Sequence, residues 1–113
     1  MTSVSTNLAI NEQIDEMVKR IVQRFDPKKI ILFGSQARGD ANKDSDVDLL
    51  VIMEFDGLKR EKQVEIGLEL YDIDVPIDVI VHTPREFICY QTIAGTIPRI
   101  AVKEGKILYA KEQ

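Results

Sequence analysis

The sequence predicts a small α/β fold in which a mixed β-sheet is flanked by helices, and three observations support this. Apolar residues recur every three or four positions between Ile10 and Phe25, as in an amphipathic helix. Three short runs rich in apolar and β-branched residues are bounded by turn formers, as strands are: residues 29–33, 46–53 and 76–81. Helical patterns alternate with these runs, which is typical of α/β folds.

The N-terminal half is expected to begin loosely and then to form one helix and the first two strands. Residues 1–7 are small and polar, which is typical of a loose terminus. The helix is predicted from Ile10, with Asn11 as a cap. It is expected to end at Asp26-Pro27, because proline disfavours helical geometry in the residue before it.

A second helix is predicted over residues 57–72, between the second and third strands. Its apolar residues are expected to share one face: Leu58, Val64, Leu68 and Tyr71. The third strand opens with Pro76, a position where proline is tolerated.

The last third of the chain is expected to hold two shorter helices and a final strand. Thr83-Pro84-Arg85-Glu86 has the pattern of a capping box with proline at the first helical position, which predicts a helix to about Ala94. Pro98 is expected to start the last helix and Gly105 to end it. Residues 107–110 are expected to form a short edge strand.

Composition indicates one domain, residues 1–113, in a cytoplasmic protein. The chain has 15 Lys+Arg against 19 Asp+Glu, a net charge of −4, and such an acidic balance does not favour a direct nucleic-acid partner. Its longest apolar run, Leu49–Met53, is too short to span a membrane, and its N-terminus does not resemble a secretion signal. A single cysteine, Cys89, excludes an internal disulfide and suits a reducing compartment.

Three aspartates on two predicted strands form the first chemical signal. Asp46 and Asp48 are two positions apart, so strand alternation places both carboxylates on one face, and Asp78 takes the equivalent face of the next strand. Two carboxylates about 5 Å apart repel by roughly 3 kcal/mol at an effective dielectric of 20. A shared proton or a cation would offset this, and oxygen ligands favour Mg²⁺ or Mn²⁺. An Asp-x-Asp pair taken alone fits a solvated strand face equally well.

A Gly-Ser turn directly after the first strand adds a second signal. Gly34 allows close backbone approach, and the amides of Gly34 and Ser35 would lie at the start of a helical turn, where anions bind. Arg38 could add a contact to phosphate. Ten residues separate Ser35 from Asp46, so a phosphate-binding turn leads into a metal-binding strand. A P-loop does not fit, because Asp40-Ala41 stand where Lys and Ser/Thr are required, and an EF-hand fits in neither register.

The combination Phe33-Gly34-Ser35 followed by Asp46-Val47-Asp48 resembles the DNA polymerase β-like nucleotidyltransferases, and most closely the minimal nucleotidyltransferases (MNT). The likeness extends from about Ile10 to Tyr109. It implies the polymerase β-like fold, with Gly34 and Ser35 binding the triphosphate of the nucleotide, to which Arg38 could add its contact. It also implies that Asp46, Asp48 and Asp78 are catalytic and bind two Mg²⁺ ions, Asp78 also helping to activate the acceptor hydroxyl.

The same resemblance implies a function and a partner. It implies transfer of NMP, most simply AMP from ATP, to a tyrosine of a HEPN-domain RNase toxin, with which the chain would form a hetero-oligomer as its antitoxin. The shortness of the chain after the Asp78 strand favours an acceptor supplied by a partner. Two alternatives stay open at this point: an antitoxin that acts by binding alone, and a catalytic subunit for a small-molecule acceptor such as an antibiotic.

Several other residues have simpler interpretations. His82 is expected to be an exposed polar residue at a strand end, and Cys89 a buried small side chain. Residues 59–62 are expected to form a solvated helix face. The tyrosines are expected in the core or at an interface: Tyr71, Tyr90 and Tyr109.

Overall fold

A computed structural model describes residues 6–42 and 45–112. The helices are α1 (Thr6–Phe25), α2 (Ser35–Arg38), α3 (Lys59–Leu70), α4 (Pro84–Tyr90) and α5 (Ile97–Glu104). The strands are β1 (Lys29–Phe33), β2 (Val47–Ile52), β3 (Ile77–His82) and β4 (Lys106–Ala110). Within the described ranges, no helix combines the length and the apolar content that a membrane span needs.

The four strands form one mixed sheet in the order β3-β2-β1-β4, which confirms the predicted fold class. β1 is antiparallel to both β2 and β4, whereas β2 and β3 are parallel. The carboxyl end of β1 therefore meets the amino ends of β2 and β3 at the same end of the sheet. β4 takes the edge next to β1, as its sequence predicts.

Helices cover both faces of this sheet, so the protein has two apolar layers. Helices α1 and α3 pack on the face that carries the odd-numbered residues of β2: Val47, Leu49 and Val51. The opposite face buries Leu50 and Ile52 against α5, together with Phe33 of β1. Strand alternation in the sequence predicts only the first of these two layers. The second layer exists because α5 covers the other face of the central strand β2.

The predicted boundaries of two helices are wrong. Helix α1 includes Thr6 and Asn7, so the expected loose N-terminus does not extend to residue 7; residues 1–5 lie outside the described part. Asn11 lies inside α1 and is not its cap. Helix α4 ends at Tyr90 rather than near Ala94, because two turns intervene before Thr96 caps α5. The periodicity of apolar residues does not mark where a helix begins when the residues before the first apolar one are polar.

The apolar residues that the sequence predicts on one face of the second helix do not belong to the core. All four are exposed: Leu58 by 60%, Val64 by 55%, Leu68 by 65% and Tyr71 by 81%. Ile66 and Leu70, four positions apart, are buried on the sheet instead. The sequence of α3 carries apolar residues on two sides, and only the position of β3 decides which side is buried.

The capping box of α4 forms as predicted and extends into a polar cluster. The Thr83 hydroxyl accepts from the Glu86 N–H at 3.1 Å, and Glu86 Oε1 accepts from the Thr83 N–H at 3.0 Å. Glu86 Oε1 also lies 2.9 Å from Lys59 Nζ and 3.1 Å from His82 Nδ1. Burial raises the pKa of Glu86, but Lys59, the Thr83 N–H and His82 outweigh it and lower the pKa to about 2.

The predicted exposure of three residues is therefore wrong. The side chain of His82 is only 14% exposed, because it is held between Lys59 and Glu86. Lys59 is correspondingly half-buried rather than fully solvated. Cys89 is exposed rather than buried, since α4 turns its neighbour Phe87 toward the sheet instead. Of the tyrosines, Tyr109 packs against the core, whereas Tyr71 and Tyr90 are exposed.

Replacing Glu86 by Gln is expected to lower the free energy of unfolding at pH 7 by about 0.5–1 kcal/mol, a value discounted for partial solvent exposure. The carboxylate has a pKa of about 2 in the folded chain against an ordinary value of 4.5, so its contribution is present above pH 4.5. It is lost as the pH falls from 4.5 toward 2. Urea unfolding across this range would measure the difference from wild type, with the exposed Thr92→Ala as control. A difference that stayed constant down to pH 2 would contradict this assignment.

Candidate functional site

The Gly-Ser turn and two of the predicted aspartates lie at the same end of the sheet. Gly34 directly follows β1, and α2 begins at Ser35. In the strand register, Phe33 pairs with Asp48 of β2, and Asp48 pairs in turn with Asp78 of β3. The structure therefore brings together, through sheet pairing, residues that stand up to 44 positions apart in the sequence.

Gly34 and Asp48 are packed so closely that residue 34 has no room for a side chain. Gly34 has φ 76° and ψ −159°, a backbone conformation that is essentially restricted to glycine. A Cβ atom at this position would overlap Asp48 Oδ2 and would lie 3.2 Å from Asp48 Cγ. The Asp48 carboxylate thus occupies the space that a side chain at residue 34 would need, and the turn and the acidic strand form one unit.

The Gly-Ser turn presents the first amides of a short helical turn. The N–H groups of Ala37 and Arg38 donate to Gly34 O at 3.1 and 3.0 Å, and that of Gly39 donates to Ser35 O at 3.0 Å. The amides that precede this first turn have no acceptor within it. This is the local geometry that the sequence predicts for a phosphate-binding turn.

The three carboxylates act on one another electrostatically. Burial raises the pKa of Asp48, and the nearby charges of Asp78 and Asp46 raise it further. Arg38 lowers it, without reversing the shift. Asp46 and Asp78 are exposed, and Asp46 stands one residue before β2. A positive charge supplied at this point would favour the ionised form of Asp48.

The donor set fits a hard divalent cation but does not enclose one. Within residues 6–42 and 45–112, no three Asp, Glu, His or Cys side chains form a group that could hold a metal ion by themselves. Carboxylate oxygens suit Mg²⁺, which is usually held by one or two carboxylates together with substrate phosphates rather than by an all-protein cage. Asp48 and its two acidic neighbours match that type of incomplete site.

Arg38 lies at the rim of the site and is engaged by two carboxylates. Its Nε is 3.2 Å from Asp40 Oδ2, and its Nη1 is 3.4 Å from Glu104 Oε1. Sequence reasoning did not single out Glu104, because 66 residues separate it from Arg38. Only the pairing of β4 with β1 brings the end of α5 to this edge.

The Lys59–His82–Glu86 cluster lies apart from these residues. His82 pairs with Ile52 at the carboxyl end of β3, whereas Asp78 stands near its amino end. The cluster lines a separate cavity of about 440 Å³ with Tyr90 and the start of α5. The lone histidine therefore does not join the three aspartates.

Comparison with known proteins shows to which family the chain belongs. Residues 14–108 match the nucleotidyltransferase domain family, a span that contains the Gly-Ser turn and all three aspartates. The chain belongs to this family. The match confirms the resemblance to nucleotidyltransferases that the Gly34-Ser35 and Asp46-x-Asp48 pattern carries. The protein is a nucleotidyltransferase.

One curated relative and two solved structures are similar to this nucleotidyltransferase. A protein of Methanocaldococcus jannaschii, provisionally named a protein adenylyltransferase, is 32% identical over 102 residues, which are 89% of this chain and 95% of the relative. A crystal structure of a toxin-antitoxin with AMP-PNP is 23% identical with a TM-score of 0.63, covering 88% of this chain and 74% of that one. The tri-AMPylated HEPN toxin of Shewanella oneidensis in complex with its MNT antitoxin gives 20% identity and a TM-score of 0.57, with 89% and 72% covered.

Proposed function

We propose that this nucleotidyltransferase transfers AMP from ATP to a tyrosine hydroxyl of a HEPN-domain toxin and thereby acts as its antitoxin. The observation that carries the proposal is the interlock of Gly34 with Asp48, in register with Asp78. It joins a phosphate-binding turn to a carboxylate pair in a chain that belongs to the nucleotidyltransferase family. The named adenylyltransferase relative supports AMP as the transferred group and a protein as the acceptor.

In the proposed reaction, the acceptor oxygen attacks the α-phosphorus of ATP. A bond forms between that oxygen and phosphorus, and the bond from the α-phosphorus to the bridging oxygen of the β-phosphate breaks. Pyrophosphate leaves with that oxygen, and the hydroxyl proton passes to a base. The Gly34-Ser35 amides and Arg38 would hold the triphosphate, and Asp78, whose side chain is exposed, would receive the proton.

Asp46, Asp48 and Asp78 are the residues that would hold Mg²⁺ together with the triphosphate. When bound, Mg²⁺ supplies positive charge that stabilises the phosphoryl oxygens and lowers the pKa of a coordinated hydroxyl. Before ATP arrives, Asp48 stays partly desolvated beside two like charges. Its raised pKa reflects the cost of ionising the carboxyl there, which the positive charge of the cation would offset.

The HEPN partner is inferred from the solved structures of similar fold. Two of them are toxin-antitoxin complexes, one with AMP-PNP and one with an AMPylated HEPN toxin beside an MNT antitoxin. At 20–23% identity these establish the fold alone, so the partner is a proposal. A partner from this class would supply the tyrosine that the proposed reaction needs.

The experiment combines the chain with Mg²⁺, ATP and the product of the neighbouring gene, which the proposal expects to be a HEPN-domain protein. Intact-mass spectrometry is expected to show one or more AMP additions on the partner, mapped to tyrosine by fragmentation. In cells, the Asp46→Asn/Asp48→Asn variant should bind the toxin but fail to protect against it. Full protection by this double variant would instead favour neutralisation by binding alone, and no adduct with both proteins folded would reject the enzymatic proposal.

Mg²⁺ together with a non-hydrolysable ATP analogue is expected to stabilise the chain. At tenfold excess over the dissociation constant, the gain in free energy of unfolding is about 1.4 kcal/mol. Thermal unfolding with and without EDTA measures it. The Asp46→Asn/Asp48→Asn variant should lose the part that depends on Mg²⁺, because it lacks two of the three proposed ligands. An equal Mg²⁺-dependent shift in both proteins would contradict the proposed cation site.

A further inference from the structure

Two adjoining depressions run along the sheet face beside β4, on the side that α4 and α5 leave partly uncovered. The first, of about 280 Å³, lies between α4 and the strand ends at Lys28 and Ala110. The second, of about 260 Å³, lies between β4 and α5 and reaches Gly105. Lys29 and Phe87 line both, so the depressions form one continuous feature, the β4 groove.

The walls of the β4 groove are apolar and open to solvent. Ile88 of α4 is 64% exposed, Val102 of α5 48% and Ile107 of β4 62%. Each lines one of the two depressions beside the aromatic ring of Phe87. Contiguous exposed aliphatic side chains of this kind are typical of a surface that another protein covers.

The charge of the groove is opposite to that of the chain. The described residues that line it include three lysines and no Asp or Glu, although the whole chain carries a net charge of −4. Lys111 pairs with Asp26 at 2.8 Å. In the described part of the chain, Lys28 and Lys29 have no carboxylate partner, and Lys29 Nζ lies 5.7 Å from the centroid of the Phe87 ring. An occupant with carboxylates near this end would complement them.

The other end of the groove leads to the nucleotidyl-transfer site. Gly105 follows Glu104 directly, and the Glu104 carboxylate contacts Arg38 at the rim of that site. A chain lying in the groove would therefore emerge beside Arg38. An acceptor side chain just beyond the docked segment would be close to the carboxylates at the end of the sheet.

We propose that the β4 groove docks an acidic amphipathic segment of the acceptor protein, with apolar anchors on Phe87, Ile88 and Ile107 and carboxylates on Lys28 and Lys29. The inference rests on the proposed function, since the docked protein is the one whose hydroxyl receives AMP. Docking of this kind resembles an amphipathic helix bound in a groove. The exposed apolar face of α3 lacks both features of the groove, the unpaired lysines and the path to Arg38.

The test measures, by isothermal titration calorimetry, binding of the HEPN-domain partner that the proposed function requires. Ile107→Asp and Lys28→Glu/Lys29→Glu are each expected to raise the dissociation constant about tenfold or more. Leu68→Asp, on α3 and 65% exposed, is the matched control and should leave it unchanged. Added salt should weaken binding of the wild-type chain more than binding of the lysine variant, because salt screens the proposed ion pairs. Affinity for an ATP analogue should be the same in all variants.

Binding and transfer fail in distinguishable ways. If the wild-type chain binds the partner without transferring AMP, but Ile107→Asp weakens binding, the groove is supported and the reaction is not. If AMP is transferred and Ile107→Asp changes neither the dissociation constant nor the KM for the partner, the groove proposal is overturned. Three other outcomes would also overturn the groove proposal. In the first, only Leu68→Asp weakens binding; in the second, the wild-type chain does not bind the partner. In the third, the chain forms a dimer that Ile107→Asp dissociates.

Discussion

Replacing Gly34 by Ala is expected to abolish AMP transfer, with a loss of at least about 10²-fold, and to cost about 1–3 kcal/mol of stability. The φ of 76° with ψ of −159° is unfavourable for any residue with a Cβ atom. The new methyl group would also overlap the Asp48 carboxylate, which must then move away from the Gly-Ser turn. Steady-state transfer kinetics and urea unfolding measure the two effects.

Gly39→Ala is the matched control for this substitution. Gly39 also has a positive φ, 87°, but a Cβ atom there would meet nothing within 4 Å. The control should therefore lose about 1 kcal/mol through backbone strain while retaining most of its transfer activity. Equal activity losses in the two variants would show that strain in the turn, and not displacement of Asp48, is responsible.

Replacing Asp48 by Asn is expected to lower transfer activity and to raise stability. Transfer should fall about 10³-fold, because the carboxylate nearest the Gly-Ser turn is lost from the reacting centre. Stability at pH 7 without divalent cations should rise by about 0.5–2 kcal/mol, as often follows when a costly active-site residue is removed. The exposed Asp56→Asn, beyond the opposite end of β2, should change neither quantity.

The pH dependence of this stability difference has a defined sign. Burial and the neighbouring carboxylates Asp78 and Asp46 raise the pKa of Asp48 above its ordinary 3.8, so the folded chain binds its proton more tightly than the unfolded chain. Wild-type stability therefore falls as the pH rises from 3.8 through the raised value. Asp48→Asn should lack this part of the fall. A variant less stable than wild type at pH 7 would contradict the electrostatic account of the site.

The residues of the candidate site could be singled out in the sequence because they belong to short local patterns. Gly34-Ser35 follows a strand that is visible from its apolar run, and Asp46-x-Asp48 opens the next one. The pattern does not reveal the register that pairs Asp48 with Asp78. It also does not reveal that a Cβ atom at residue 34 would overlap the Asp48 carboxylate. Both depend on strand pairing over long sequence distances.

Other features of the structure could not be predicted from the sequence, because they depend on tertiary packing. Helix α3 has apolar residues on two sides, and its intrinsic pattern does not reveal that Ile66 and Leu70 face the sheet. His82 looks solvated in the sequence, yet Lys59 and Glu86 enclose it from two other elements. Glu104 reaches Arg38 only through the β1–β4 pairing. Local propensity carries no information on such contacts.

In the proposed reaction, the Gly34–Asp48 unit directs attack on the α-phosphorus of ATP. The most direct measurement uses ATP radiolabelled either in the α-phosphate or in the γ-phosphate, with Mg²⁺ and the HEPN-domain partner. We expect label on the partner only from α-labelled ATP, and none with Asp48→Asn. Label transferred from γ-labelled ATP, or undiminished α-label with Asp48→Asn, would contradict this account.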